Sequence, residues 1–204
     1  MAESESESYF TPEQLTVAEY RVKDSRFIAH LAPTDSKETA ENFVREIASK
    51  YADATHHCFA YRLGVGDSAI YRADDAGEPA GTAGRPILQA LESRSVSDAV
   101  LVVTRYFRGT KLGIGGLIRA YRGAALAVID PAPLIEVLPK VIRKIAYAYK
   151  YTGAVHKVLN QFGAVALNMS YEEMPVLEYS VVRKNDEPLR EALLNATSGK
   201  IQFL

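Results

Sequence analysis

Basic residues and glycines follow one another where a strand-like segment passes into a helix-like segment. Residues 99–104 are almost continuously aliphatic, which is typical of a strand buried on both faces. Arg105, Arg108 and Lys111 come next, and Gly-Ile-Gly-Gly at residues 113–116 opens an amphipathic segment. Because the N–H groups at a helix N-terminus attract anions and glycine admits a close approach, this stretch predicts a phosphate site.

A second glycine-rich segment, residues 81–84, leads into another predicted helix. Phosphate held mainly by charge indicates the backbone of RNA or DNA, and aromatic rings nearby can stack on unpaired bases. The alternative is that the glycines only permit tight turns while Phe107 and Tyr121 belong to the core. The residues predicted to bind phosphate or nucleic acid are Arg62, Gly81, Thr82, Gly84, Arg85, Arg105, Tyr106, Arg108, Lys111, Gly113, Gly115, Gly116, Arg119 and Arg122.

Acid–base chemistry has fewer candidates. His57, Asp75 and Glu78 are the groups that a hydrolase or transferase acting on a phosphorylated small molecule could use, as acid, base or metal ligand. The alternative is that these acids hydrogen-bond loop amides or pair with Arg62 and Arg105. The chain contains no P-loop sequence and no complete dinucleotide fingerprint, so we expect no cofactor, and we predict no metal.

Adjacent histidines occur in a segment with strand-like alternation, residues 56–63. Successive side chains of a strand point to opposite faces, so His56 and His57 should not bind one ion together. Cys58 is the single cysteine, which excludes an internal disulfide. It has no evident activating neighbour, so we do not expect a thiolate nucleophile.

Charge is unevenly distributed along a nearly neutral chain. The 204 residues include 24 basic and 25 acidic ones, but residues 99–171 contain ten basic and only two acidic residues. This asymmetry permits a basic face on one part of the protein. No apolar run approaches the ~20 residues of a membrane span, and residues 1–10 lack the regions of a signal peptide, so we predict a cytoplasmic protein without membrane contact.

Hydrophobic periodicity and turn signals indicate the elements that must position these residues. The polar residues 1–13 predict a disordered acidic tail, and residues 14–130 a first domain that ends at Asp-Pro-Ala-Pro. The helix after the basic turn should carry one apolar side and place Arg119 and Arg122 on another; the apolar residues are Ile114, Leu117, Ile118, Tyr121, Ala125 and Val128. The predicted strands of this domain are 15–23, 26–31, 56–63, 68–72 and 99–104, with helices around 36–51, from 86 and from about 115.

A second domain is predicted over residues 134–204. Its pattern is strand, helix, strand, strand, helix, strand, which is the ferredoxin-like βαββαβ order. The predicted fold class is therefore α+β. The segments are 137–149, 152–162, 164–171, 175–183, 186–196 and 200–203.

Three motifs in the first domain occur together: HHCFAYR at 56–62, DDAGEPAGTAG at 74–84 and TRYFRGTKLGIGGLIRAY at 104–121. In this combination the chain resembles the YigZ/IMPACT family. The resemblance implies a ribosomal protein S5 domain 2-like N-terminal domain joined to a ferredoxin-like domain, two units similar to the last two domains of translation elongation factor G. Arg108 stands where the family pattern usually has glycine, and Ala80 where it has serine.

Eukaryotic members of that family regulate translation under amino-acid stress by competing for a partner of an initiation-factor kinase. They carry an RWD domain that this chain does not show, so that partner is not carried over. Our first hypothesis is a non-enzymatic RNA- or ribosome-binding regulator of translation or stress response. The alternatives are the enzyme described above and a protein-interaction module that uses the exposed sheet of the ferredoxin-like domain to bind a protein partner.

Overall fold

The structure is a computed structural model, and it describes residues 8–66, 69–171 and 173–204. The chain divides into two compact units, Tyr9–Val137 and Leu138–Leu204. Both contain helices and antiparallel sheet, in agreement with the predicted α+β class. None of the described helices is long and apolar enough to cross a membrane.

A five-stranded antiparallel sheet forms the centre of the first unit. Its order is β2-β3-β6-β4-β5. The predicted central strand is β6, and seven of its eight residues are buried because helices cover both faces of the sheet. The strands are β2 (Thr16–Val22), β3 (Ser25–Pro33), β4 (His56–Leu63), β5 (Ile70–Asp74) and β6 (Ala99–Tyr106).

Three helices pack on this sheet: α1 (Lys37–Lys50), α2 (Gly84–Ser93) and α3 (Gly113–Ile129). Strand alternation decides which helix each side chain meets. Cys58 and Ala60 pack with α2 and α3, whereas Phe59 and Tyr61 pack with α1 on the other face. Thus α1 lies across the sheet from α2 and α3.

A short two-stranded sheet corrects the prediction of a disordered tail over 1–13. Strand β1 (Tyr9–Pro12) pairs antiparallel with β7 (Leu134–Val137), and Tyr9 is buried with its hydroxyl bonded to Asp98. Composition alone could not reveal this strand because its partner lies at the other end of the domain. Residues 1–7 of the predicted tail lie outside the described residues. Strand β7 was assigned by sequence to the second domain, but it pairs within the first unit.

The second unit has the βαββαβ order, with sheet order β11-β8-β10-β9. Helices α4 and α5 cover one face through a core that includes Leu177, Tyr179, Leu189 and Leu193. The predicted strand 137–149 is instead two strands, because Pro139 separates β7 from β8. The elements are β8 (Lys140–Ala146), α4 (Thr152–Gln161), β9 (Val165–Tyr171), β10 (Pro175–Val182), α5 (Asp186–Ala196) and β11 (Gln202–Phe203).

Candidate nucleic-acid interface

Asp75 occupies the start of helix α2. Its Oδ2 accepts a hydrogen bond from the Gly81 N–H at 2.7 Å, and its Oδ1 accepts from Ala83 and Gly84 at 2.9 Å. Burial acts to raise the pKa of Asp75, but the three backbone bonds, with that from Gly81 the largest, together lower it. Because an internal carboxylate takes these N–H groups, Gly81 and Gly84 have none left for a phosphate.

Other groups of this glycine-rich segment also have structural roles. Gly84 must lack a side chain, since a Cβ there would lie 2.5 Å from the backbone nitrogen of Asp74. The Thr82 hydroxyl is buried and donates to the Pro79 carbonyl at 2.6 Å. Only Arg85, which is exposed on α2, remains available from the predicted residues of this segment.

Arg105 is buried against Glu78 and does not reach the surface. Its Nη1 lies 2.6 Å from Glu78 Oε1, and the two side chains are 5% and 4% exposed. The Tyr121 hydroxyl donates to the same carboxylate oxygen at 2.8 Å, and Arg105 Nη2 donates to Ser25 Oγ at 3.2 Å. The alternative stated above was that the loop acids bond loop amides or pair with arginines. Asp75 bonds loop amides, and Glu78 pairs with Arg105.

The structure does not bring the candidate acid–base residues His57, Asp75 and Glu78 together. His57 points to the α1 face, where its Nδ1 lies 3.2 Å from Thr104 Oγ1. His56 is the histidine on the loop face, with Nε2 3.9 Å from Glu78 Oε1. The predicted opposite orientation of the two histidines is confirmed. Sequence reasoning missed His56, although it shares its strand face with Cys58.

No group of three or more histidine, cysteine or carboxylate side chains in the described residues could hold a metal ion. Cys58 is fully buried, and its thiol donates to the Asp75 carbonyl at 2.9 Å. Burial raises the pKa of this thiol to about 12, although a hydrogen bond with Tyr121 acts to lower it. Cys58 is therefore an uncharged core residue at neutral pH.

Arg62 and Arg105 lie at opposite ends of the sheet. His56 of β4 pairs with Arg105, whereas Arg62 pairs with Ala99. Six residues of strand separate the two positions on β4, a distance of about 20 Å. Arg62 is therefore not part of one site with Arg105.

Four basic side chains of the predicted set remain exposed in the loop before α3 and along that helix to about its midpoint: Arg108, Lys111, Arg119 and Arg122. We call these four residues, together with Gly113–Gly116, the loop–α3 surface. None of the ion pairs among residues 8–66, 69–171 and 173–204 involves these four side chains. Helix α3 begins without a side-chain cap and without an acidic residue in its first turn. The two helix starts therefore differ: a carboxylate occupies that of α2, and basic residues flank that of α3.

The first turns of α3 depart from the predicted core face. Of the six residues on the predicted apolar side, Ile114 and Ile118 are 66% and 37% exposed. Leu117 and Tyr121 do pack in the core. The first turns of α3 therefore present apolar as well as basic groups to solvent.

Residues 23–129 match the family model described as the Impact N-terminal domain. The chain belongs to the IMPACT family. The resemblance predicted from the three motifs is thereby confirmed. The IMPACT family member YvyE of Bacillus subtilis is 35% identical, over 95% of this chain and 88% of its own. YigZ of Escherichia coli is 31% identical, over 97% of this chain and 98% of its own.

The IMPACT proteins of animals match a smaller part. Protein IMPACT of Bos taurus is 36% identical over 44% of this chain and 29% of its own. A crystal structure of a hypothetical protein has a TM-score of 0.66 at 31% identity and covers 97% of both chains. A crystal structure of a Thermus thermophilus protein has a TM-score of 0.62 at 12% identity, covering 98% of this chain and 29% of that one. The predicted fold class is confirmed.

In this IMPACT protein, Arg108 lines a cleft of about 270 Å³ beside the β2–β3 turn. Two cleft arginines share one carboxylate: Arg21 and Arg26 each lie 2.7 Å from an oxygen of Glu19. The hydrogen bonds from Arg26 and then Arg21 lower the pKa of Glu19. The cleft is lined by Arg21, Lys23, Asp24, Ser25, Arg26 and Arg108. Sequence reasoning missed the β2–β3 residues because they approach Arg108 only through strand pairing.

The aromatic residues of the IMPACT motif have separate roles. Tyr106 is half-buried, and its hydroxyl donates to Asp53 Oδ1 at 2.8 Å. The Arg26 guanidinium lies 5.9 Å from the centre of its ring. Phe107 is 39% exposed, so the core alternative does not describe it, whereas Tyr121 is fully buried as that alternative expected.

Proposed function

We propose that this chain binds RNA, free or within the ribosome, through the loop–α3 surface, and that it regulates translation or a stress response without catalysis. The observation that carries the proposal is the set of four exposed cations, before α3 and along that helix to about its midpoint, that form no ion pair with any residue that the structure describes. Among the described residues, the acids of the neighbouring loop are already bonded to Arg105 and to backbone amides. They therefore do not neutralise this surface.

Charge is the main attraction that such a surface offers. Arg108, Lys111 and Arg119 can each contact a phosphate oxygen, and every contact releases condensed counterions from the nucleic acid. Contacts of this kind position a protein on RNA but carry little sequence information. We therefore expect binding that depends strongly on salt and only weakly on base sequence.

The regulatory part of the proposal depends on family membership. The resemblance implies that eukaryotic IMPACT proteins regulate translation, and that the two domains resemble the last two domains of elongation factor G. A protein with a basic surface and this architecture fits a role at the ribosome. The enzyme alternative has less support, because His57 lies across the sheet from Asp75 and Glu78.

The protein-interaction alternative is favoured by one observation in the second unit. Ile142 and Val165 are 59% and 55% exposed, and both pair with Ser180 on the intervening strand. This places two aliphatic side chains on the open face of the sheet. A partner bound there would be insensitive to charge reversal at Arg119.

Fluorescence anisotropy with labelled structured RNA, measured over a range of salt concentrations, tests the proposal. The double variant Arg108→Ala with Arg119→Ala should weaken binding at low salt and reduce the slope of log affinity against log salt by about 1.8, since each contact contributes about 0.9. Arg45→Ala is the matched control, because Arg45 is an exposed arginine on α1, across the sheet. Absence of RNA affinity at low salt, or equal binding by wild type and double variant, would contradict the proposal.

A further inference from the structure

Two exposed tyrosines lie side by side in the second unit. Tyr149 begins the single 3-10 turn Tyr149–Tyr151 before α4, and Tyr171 ends strand β9. Their rings are parallel to within 13°, and the ring centroids are 6.5 Å apart. The two residues are 54% and 64% exposed. More than half of each aromatic residue therefore faces solvent.

Hydrogen bonds to backbone carbonyls hold the segments that carry the two rings. The Tyr149 carbonyl accepts from Thr152 Oγ1 at 2.8 Å, at the first residue of α4. Tyr171 pairs with Pro175 of β10, and the Pro175 carbonyl accepts from the N–H of buried Tyr147 at 3.2 Å. Tyr147 is a core residue two positions before Tyr149, and its N–H bonds to the segment that pairs with Tyr171. Because both ring-bearing segments are already held in place, binding on the rings would cost little additional ordering of the backbone.

The chemistry of this platform suits a flat aromatic ligand more than an ion. Lys150 is exposed next to Tyr149, and its ammonium lies 5.1 Å from the ring centre of Tyr151. Two acidic residues, Glu172 and Glu173, follow Tyr171 in the sequence, and Glu173 is exposed. Since these stretches of sequence supply one lysine and two acids, they carry no excess of positive charge for phosphate, and stacking on the exposed rings is the attraction that the platform offers. Nucleobases stack on such rings with little dependence on their identity.

We propose that Tyr149 and Tyr171 form a stacking platform for an unpaired base of single-stranded RNA. The proposal rests on the RNA binding proposed above and adds a base contact to the phosphate contacts. It selects single strands over duplexes, because the bases of an A-form helix are stacked on one another and are not available to the rings. The platform is formed entirely by residues of the second unit.

Fluorescence anisotropy of the full chain, with a labelled twelve-nucleotide uridine strand and a labelled blunt-ended RNA duplex that has no loop, tests this platform. Tyr149→Ala with Tyr171→Ala should weaken binding of the single strand at least about fivefold while leaving duplex binding unchanged. The slope of affinity against salt should stay the same, since no phosphate contact is lost. The pair Tyr149→Phe and Tyr171→Phe keeps both rings and should bind as wild type. Tyr71→Ala removes a tyrosine of similar exposure from the first unit and is the control.

The outcomes separate this inference from the proposed function. If the alanine pair binds the single strand as wild type does while Arg108→Ala with Arg119→Ala weakens binding, the platform is overturned and the charged surface stands. If wild type binds neither RNA, both proposals fail. Tyrosine ring resonances in NMR spectra of wild type provide a second measurement, independent of variant folding. Stacking should shift the ring signals of Tyr149 and Tyr171 when the single-stranded RNA is added. Unshifted ring signals at a saturating concentration of that RNA would contradict the platform. So would ring signals that shift with a peptide but not with the RNA.

Discussion

Arg105 and Glu78 form a buried ion pair, with Nη1 and Oε1 2.6 Å apart, that fastens the glycine-rich loop to the central strand of the sheet. The pair removes the first arginine of the basic turn from the surface. Because Glu78 pairs with Arg105, this carboxylate does not neutralise the exposed basic residue Arg108 of the same turn. The loop is therefore a structural brace, and the loop–α3 surface that we propose for RNA binding lies outside this ion pair.

Glu78→Ala should strongly destabilise the first unit. Removing one partner leaves the Arg105 charge buried without compensation, which costs about 3 kcal/mol or more in the free energy of unfolding. Urea denaturation followed by circular dichroism measures this cost. Glu187→Ala, which removes an exposed partner of Arg190 in the first turn of α5, is the comparison and should cost less than about 1 kcal/mol. A Glu78→Ala protein as stable as wild type would show that the ion pair does not brace the loop.

Asp75→Asn should weaken the start of α2 and change the pH dependence of stability. The pKa of Asp75 is lowered in the folded state, so the folded protein binds fewer protons there than the unfolded chain does. Its contribution to stability is therefore present above the ordinary aspartate pKa of about 3.9, and it is lost as the pH falls through the lower folded value. Urea midpoints measured from neutral pH into acid should fall less steeply for Asp75→Asn than for wild type. Parallel curves would rule out the capping role.

Gly84→Ala should be far more costly than the same change at Gly153. A Cβ at position 84 would lie 2.5 Å from the Asp74 nitrogen, whereas a Cβ at position 153 meets nothing within 4 Å. Both glycines lie in the first turn of a helix. We expect Gly84→Ala to lose about 2 kcal/mol of stability and Gly153→Ala to gain up to about 1 kcal/mol. Thermal melts of the two variants test this, and similar Tm values would contradict the close approach at Gly84.

Cys58 should be unreactive toward thiol reagents in the folded protein. Burial raises its pKa to about 12, so at pH 8 almost no thiolate is present, and the side chain is fully buried. Absorbance after adding a disulfide reagent should show labelling at least about 100-fold slower than in denaturant. Fast labelling of the native protein would mean that the loop over Cys58 opens readily.

Arg108→Gly introduces the glycine that the resemblance implies at this position and should weaken the proposed RNA binding. The loss of one phosphate contact predicts a reduction of about 0.9 in the slope of log affinity against log salt. Arg94→Ala, which removes an exposed arginine paired with Asp130, should leave the slope unchanged. Titrations of labelled RNA at several salt concentrations distinguish the two. An unchanged slope in Arg108→Gly would exclude this residue from the interface.

Most elements of the fold were predictable because their signals are local. The predicted helix 186–196 coincides with Asp186–Ala196, and the predicted strand 175–183 differs from Pro175–Val182 by one residue. Alternation along β4 also predicted the opposite faces of the two histidines. Strand β1 was not predictable, because its polar surroundings resemble a tail and its partner β7 is remote in sequence.

The sequence by itself determined the order of most elements, the family and the positions of the positive charges, since these are properties of single residues and short segments. Only the tertiary structure decided which of these charged side chains are exposed and which are buried in ion pairs. Arg105 and Arg108 are three residues apart, yet one is buried against Glu78 and the other is exposed beside the β2–β3 turn. The physical reason is that burial and ion pairing depend on segments that meet only when the chain folds, and neither composition nor periodicity specifies those neighbours.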